Sequence, residues 1–165
     1  MALTRNIAAT YRGPGRVVSA ILEGEAREDR ILYILLTACA VIFVAQAPYQ
    51  AREAHLDESV PLQARLYWSA FLWIFLFPLV MYMIAAIVWL VSRVIPSPPT
   101  GYDIRAVLFW SLLASTPVIL LLGLTAGIIG SGPALQAIAL LWCLVFAWFW
   151  IAGTLAARRN KGQVA

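Results

Sequence analysis

The chain has 165 residues, of which 62% are hydrophobic and only 12% charged, and its formal net charge is +4. Soluble domains carry about 25% charged residues, so this composition excludes a soluble globular protein and predicts a membrane protein. The basic residues flank the apolar segments and form no continuous stripe, which excludes a nucleic-acid-binding surface.

Residues 1–30 precede the first long apolar segment and are predicted to form a cytoplasmic N-terminal segment. Gly13-Pro14 favours the start of a helix, because proline is well tolerated in a first helical turn. One side of the predicted helix carries apolar residues, namely Val17, Val18, Ile21 and Leu22. The pattern predicts an amphipathic helix lying on the membrane surface. The alternative is a solvated lead-in to the first span.

The first predicted span, 31–47, has about the shortest length that crosses a membrane, and Pro48 is predicted to end it. Ala45-Gln46-Ala47 resembles the cleavage site of a signal peptide. However, the long segment of mixed charge before the span is atypical of a signal peptide. We therefore interpret 31–47 as a retained span.

The connection 48–66 is predicted to be a solvated loop. It contains His55, Asp57 and Glu58, which are residue types that bind metals. Three such residues in one loop, without a second cluster, are a weak basis for a metal site. We expect neither a metal nor a cofactor.

The second predicted span is 67–91, and Pro78 near its centre is expected to kink it. The following loop, 92–106, contains Pro96-Ser97-Pro98-Pro99, a sequence that favours an extended linker.

The segment 106–157 contains no charged residue and no histidine. As one helix it would measure roughly 78 Å, whereas a bilayer core is only about 30 Å thick. The segment is therefore predicted to form two spans, 107–129 and 135–157, on either side of Gly130-Ser131-Gly132-Pro133. A second kink is expected at Pro117.

Gly123 and Gly127 lie four residues apart in the third predicted span. Small residues at this spacing allow a second helix to approach closely. That helix is either another span of the same chain or a partner protein.

Of the twelve Arg and Lys residues, only Arg52 and Arg65 lie outside the N-terminal segment, the middle loop and the C-terminal tail 158–165. The positive-inside rule then places both termini in the cytoplasm. The fold class predicted is an all-α membrane protein, a four-helix transmembrane bundle, 31–157, with an N-terminal interfacial helix. Lipid headgroup contacts are predicted for Arg12, Arg16, Arg93, Arg105, Arg158 and Arg159, with ordinary anchoring as the alternative.

The four predicted spans contain no ionisable group of the kind that pumps and secondary transporters use. The single histidine lies in a loop, so no nucleophile is predicted to have a histidine base. Cys39 and Cys143 lie in apolar spans without metal-ligand spacing. We therefore expect no catalytic residues and no enzymatic activity.

The order of these features resembles the bacterial branch of the Yip family of membrane proteins. Three stretches carry the resemblance. They are Pro14-Gly15-Arg16-Val17-Val18 with Ile21-Leu22; Trp89-Leu90-Val91-Ser92-Arg93-Val94 followed by Asp103-Ile104-Arg105-Ala106-Val107 and Ser115-Thr116-Pro117; and the segment from Leu141-Trp142 to Gly153-Thr154-Leu155. Members commonly have a fifth span, whereas four are predicted here, and the eukaryotic Gly-Tyr-Gly signature corresponds to Gly101-Tyr102-Asp103.

The resemblance implies a non-enzymatic, multi-pass protein of the bacterial inner membrane that acts through lipid or protein contacts. We predict a role in membrane organisation or complex assembly, with membrane lipids and either a membrane protein partner or a second copy as partners. The alternative is a transporter or channel component for a small uncharged or lipid-like solute, since broken helices such as those expected at Pro78 and Pro117 often border binding sites.

Overall fold

The structure is a computed structural model that describes residues 3–24, 26–94 and 99–162, without the side chains of 160–162. The prediction of an all-helical chain is confirmed over these residues. The helices are α1 (Leu3–Thr10), α2 (Pro14–Leu22), α3 (Glu28–Leu56), α4 (Leu62–Ala70), α5 (Phe77–Ser92), α6 (Gly101–Ala114), α7 (Thr116–Ile128) and α8 (Pro133–Gly162), with a π-helical segment, Phe71–Leu76, joining α4 to α5.

The described residues contain three helices that are long and apolar enough to cross a membrane: α3, the continuous helix Leu62–Ser92, and α8. A fourth is present if α6 and α7, which meet at a bend of 44°, form one span. Each of these helices, with α6 and α7 taken together, begins before its predicted span, and all but this pair also end beyond it; α8, for example, includes Arg158 and Arg159 of the predicted tail. These lengths and compositions are those of a membrane protein.

The prediction that Pro48 ends the first span is wrong, because α3 continues through Pro48 to Leu56. Proline in a helix removes one backbone hydrogen bond, but here α7 packs along α3 on both sides of it. Gly123 lies against the Ala45 backbone and Gly127 against Pro48. These contacts, distant in sequence, hold the helix together and shorten the predicted loop 48–66 to residues 57–61.

The short connection between α3 and α4 is a hydrogen-bonded turn. The Asp57 carboxylate accepts hydrogen bonds from the Ser59 amide at 3.1 Å and from the Ser59 hydroxyl at 2.6 Å. Its other oxygen accepts from the Arg65 guanidinium at 2.9 Å. These donors, Ser59 first and then Arg65, lower the pKa of Asp57.

Acid should therefore weaken this turn. Because the pKa of Asp57 is lower in the folded than in the unfolded protein, its contribution to stability is complete above the unfolded value of about 3.9 and is lost as the pH falls through the folded value. We expect Asp57→Asn to be less stable than the parent at pH 7 and to lose less stability between pH 5 and the acid limit. Thermal melts of the detergent-solubilised protein would measure this, with Glu58→Gln in the same turn as the control; an equal acid response in parent and Asp57→Asn would contradict it.

The π-helical segment lies directly before Pro78. The Phe77 amide donates to the Leu72 carbonyl, five residues earlier, and Pro78 is buried. A π turn shifts the hydrogen-bond register, and in this way it accommodates the missing amide and bulky ring of the proline. The disturbance predicted at Pro78 thus takes the form of a π turn within one continuous helix.

The bend between α6 and α7 has its carbonyls satisfied by side chains. Pro117 has no amide to donate to the Leu113 carbonyl, and the Thr116 hydroxyl donates to that oxygen instead, at 2.7 Å. The neighbouring Ser115 hydroxyl donates to the Leu112 carbonyl at 2.8 Å and accepts from the Trp142 indole at 3.2 Å. Such replacement donors are what make a proline break tolerable in an apolar environment.

Helix α6 lies at the centre of the bundle. Ile104 and every residue from 106 to 114 are buried, and α1, α2, α3, α5 and α8 all contact this helix. A capping box between Thr100 and Asp103 starts it at Gly101, six residues before the predicted span. Of the predicted linker, residues 96–98 lie outside the described residues.

Candidate functional site

The two N-terminal helices form a collar, residues 3–22, that is docked on the bundle. The apolar face of α2 was predicted to lie on lipid, but Val18 and Ile21 are buried and α2 packs against α8 and α6. A Cβ at Gly153 of α8 would lie 2.7 Å from Val107 and 3.2 Å from Val18. The missing side chain of Gly153 therefore lets α2, α6 and α8 meet, and protein rather than lipid covers the amphipathic helix.

Helix α1 is held by polar and aromatic contacts. The buried Trp110 indole donates to the Thr10 hydroxyl at 3.2 Å, and that hydroxyl donates to the Asn6 carbonyl at 2.8 Å. The Tyr11 ring meets Phe149 edge to face, with centroids 5.0 Å apart, and burial raises the pKa of the Tyr11 phenol. A buried indole requires an acceptor, but the sequence did not show that Thr10 would supply it.

Three arginines of the collar and one of α8 together form the basic face: Arg5, Arg12, Arg16 and Arg159. The first three line an open groove of about 520 Å³ over α1 and α2. Arg16 and Arg159 line an adjoining groove of about 710 Å³ whose wall includes Trp148 and Leu155. None of the four takes part in the ion pairs that the structure describes, so their charges are available to a ligand.

The other three predicted headgroup contacts have different surroundings. Arg105 forms an ion pair with Glu28, which joins the start of α6 to the start of α3. The Arg93 guanidinium lies over the Trp89 ring, 4.2 Å from its centroid. Arg158 lines a small cavity of about 80 Å³ that Asp103 also lines. The structure therefore groups Arg12, Arg16 and Arg159 and separates Arg93, Arg105 and Arg158 from them.

The two glycines at helical spacing contact the same chain. A Cβ at Gly123 would overlap the Ala45 carbonyl oxygen and lie 2.6 Å from the carbonyl carbon, and a Cβ at Gly127 would lie 2.5 Å from the Pro48 Cβ. Both glycines thus serve the α3–α7 contact. Of the two alternatives, the structure shows packing within the chain at this face.

A second cavity lies at the opposite end of the bundle from the collar, between α3, α7 and α8. This loop-end cleft has a volume of about 470 Å³. Its lining includes polar residues from α3 (Gln46, Tyr49, Arg52 and Glu53) and small or apolar residues from α7 and α8 (Leu122, Gly123, Ala126, Leu135 and Ala139). The sequence interpretation placed Arg52 and Glu53 in a solvated loop and missed the cleft.

Arg52 caps the C-terminus of α7. Its Nη1 donates to the Ile128 carbonyl at 3.1 Å and to the Gly127 carbonyl at 3.5 Å, which are among the last carbonyls of that helix. Gly130 follows with a φ of +85°, the left-handed conformation common after helix ends. A basic side chain at a helix C-terminus is also favoured by the helix dipole.

Comparisons of the chain with models of protein families, with curated proteins and with solved structures found no match. The collar and the cleft are therefore the features of the molecule that point to a function. The resemblance to the Yip family remains a prediction that rests on the residues quoted for it.

Proposed function

We propose that the protein is a non-enzymatic, four-span membrane protein of the Yip type that binds anionic phospholipid headgroups through its basic face. The observation that carries this proposal is the grouping of Arg5, Arg12, Arg16 and Arg159 on one surface with open grooves. Each basic residue near an anionic membrane surface contributes about 1 kcal/mol of attraction.

The depth at which the collar lies in the bilayer supports the proposal. Tyr33, close to the start of α3 and beside Leu3 and Asn6 of α1, is 69% exposed. Exposed aromatic rings at the end of a span favour the headgroup level of a bilayer. The arginines of the collar then lie level with the phosphates, with apolar wall beneath them for the acyl chains.

Orientation and location follow from charge. The collar, Arg93, Arg105, Arg158 and Arg159 all belong to the end of the bundle that holds ten of the twelve basic residues. With α6 and α7 as one bent span, both termini lie on this side, and the positive-inside rule assigns it to the cytoplasm. Together with the family resemblance, this supports the bacterial inner membrane and a role in membrane organisation or complex assembly with lipids, a protein partner or a second copy.

The test is the triple variant Arg5→Gln, Arg12→Gln, Arg16→Gln. We expect its preference for phosphatidylglycerol over phosphatidylcholine to fall by about tenfold to a hundredfold, because three charges near the surface are removed. Native mass spectrometry of the delipidated protein titrated with each lipid measures the preference.

The matched control is Arg27→Gln, which removes an exposed arginine at the same end that is already paired with Asp29. The headgroup preference of this variant should equal that of the parent. An unchanged preference in the triple variant would refute the role of the basic face.

The alternative of a transporter depends on a solute path beside the two prolines. Pro117 is exposed on the outer surface, Pro78 is buried beside the π segment, and neither lines the grooves of the collar or the loop-end cleft. Helix α6, which ends just before Pro117, is packed on all sides. No observation on the described residues therefore favours this alternative.

A further inference from the structure

The loop-end cleft has a polar half and an apolar half. Tyr49, Arg52 and Glu53 lie on the last turns of α3, at the end of the span, whereas Leu122, Ala126 and Ala139 lie deeper, on α7 and α8. Its volume of about 470 Å³ falls within the range of sites that hold small ligands. A cleft with this arrangement suits an amphiphile whose head lies at the membrane surface.

The loop-end cleft exists because small side chains form its deeper wall. Ala126 and Ala139 face the cleft from α7 and α8, where larger residues would bring the helices into contact. Little of α8 is buried inside the protein, so the cleft lies beside the surface that faces lipid. An acyl chain of the bilayer can therefore enter it from the side.

The polar half presents one positive and one negative charge. The hydrogen bonds found for the Arg52 guanidinium use only Nη1, although arginine has five N–H donors. No hydrogen bond or ion pair to the Glu53 carboxylate is found in the part of the chain that the structure describes. Adjacent residues of a helix point in different directions, so the two charges remain available to two separate groups of a ligand.

We propose that the loop-end cleft binds one phosphatidylethanolamine molecule of the bilayer. Arg52 binds the phosphate, Glu53 accepts hydrogen bonds from the ammonium group, and an acyl chain lies along Leu122, Ala126 and Ala139. An anionic headgroup without an amine would bring a negative charge close to the Glu53 carboxylate and no positive charge to offset it, and a choline headgroup has no N–H to donate to it. The pair of opposite charges thus selects a zwitterionic lipid with a primary ammonium.

The experiment uses the delipidated full chain in detergent and native mass spectrometry with phosphatidylethanolamine, phosphatidylcholine and phosphatidylglycerol of identical acyl chains. The parent should bind phosphatidylethanolamine about tenfold more tightly than phosphatidylcholine, as expected for one charged hydrogen bond. Glu53→Gln should remove this difference. Glu58→Gln, an exposed acid in the neighbouring turn, should keep it.

A second variant tests the apolar half. Ala126→Leu should fill the cleft and weaken binding of all three lipids at this site, whereas Ala40→Leu, which adds the same bulk to an exposed position of α3, should not. Glu53→Gln changes a partly exposed side chain by one atom, so it tests the proposal even if Ala126→Leu fails to fold.

Four outcomes would overturn the proposal. One is equal binding of phosphatidylethanolamine and phosphatidylcholine by the parent, and a second is an unchanged preference in Glu53→Gln. A third is competition by soluble phosphoethanolamine as strong as that by the whole lipid, which would make the cleft a site for a free phosphate compound. The last is a dimer in light scattering that Ala126→Leu dissociates, which would place a second copy in the cleft. The triple arginine variant of the collar should retain the phosphatidylethanolamine preference, so this proposal and the proposed function fail separately.

Discussion

Replacing Gly123 with alanine should separate α3 from α7 and destabilise the protein by about 3 kcal/mol or more, at or above the upper end of typical overpacking costs. The added Cβ would overlap the carbonyl oxygen of Ala45 and lie 2.6 Å from its carbonyl carbon. Side chains can rotate away from such a clash, but a helix backbone cannot, so the two helices have to move apart. This separation would also break the contact between Gly127 and Pro48, on which the continuity of α3 depends.

The buried thiol of Cys39 on α3 provides the measurement. Cys39 is buried and Cys143 exposed, so in a Cys143→Ser background a thiol-reactive dye reports unfolding of α3 directly. Gly132→Ala is the matched control, because a Cβ at Gly132 meets nothing within 4 Å. Equal melting temperatures for Gly123→Ala and Gly132→Ala would contradict the α3–α7 contact.

Replacing Trp110 with alanine should release α1 from the bundle. Trp110 is 2% exposed, and truncation of a buried aromatic ring costs about 3–5 kcal/mol. The change also removes the indole N–H that the Thr10 hydroxyl accepts. Trp110→Phe keeps most of the ring and loses that hydrogen bond, so its cost should be only about 1 kcal/mol.

Trypsin cleavage after Arg5, which lies within α1, measures the release of this helix, because a docked helix resists the protease. The rate should rise strongly in Trp110→Ala and slightly in Trp110→Phe. Trp148→Ala is the control, since Trp148 is 49% exposed and its loss leaves no comparable cavity. Parent-like cleavage of Trp110→Ala would show that α1 does not depend on this contact.

The same experiment bears on the proposed function. The basic face combines Arg5 and Arg12 of α1 with Arg159 of α8, so it is complete only while the collar is docked. Trp110→Ala should therefore also weaken the preference for anionic lipid although it changes no charge. A buried residue of α6 thus positions the arginines that meet the headgroups.

Several features could be predicted from the sequence because they depend on local composition. The apolar segments identify the membrane helices, since only a helix satisfies its own backbone in lipid. The kink expected at Pro117 is present as the bend of 44° between α6 and α7, although the same missing amide at Pro48 does not end α3. The apolar spacing from Val17 to Leu22 indicates the amphipathic helix α2.

Other features were decided by the tertiary structure. Pro48 lies inside α3 because α7 packs against it. The apolar face of α2 contacts protein because Gly153 leaves room for Val18. Arg52 caps the C-terminus of α7 although 75 residues separate Arg52 from Gly127. Composition and periodicity determine how much apolar surface a helix has and on which side. They do not determine whether lipid or another helix covers that surface, because this depends on how closely backbones distant in sequence can approach.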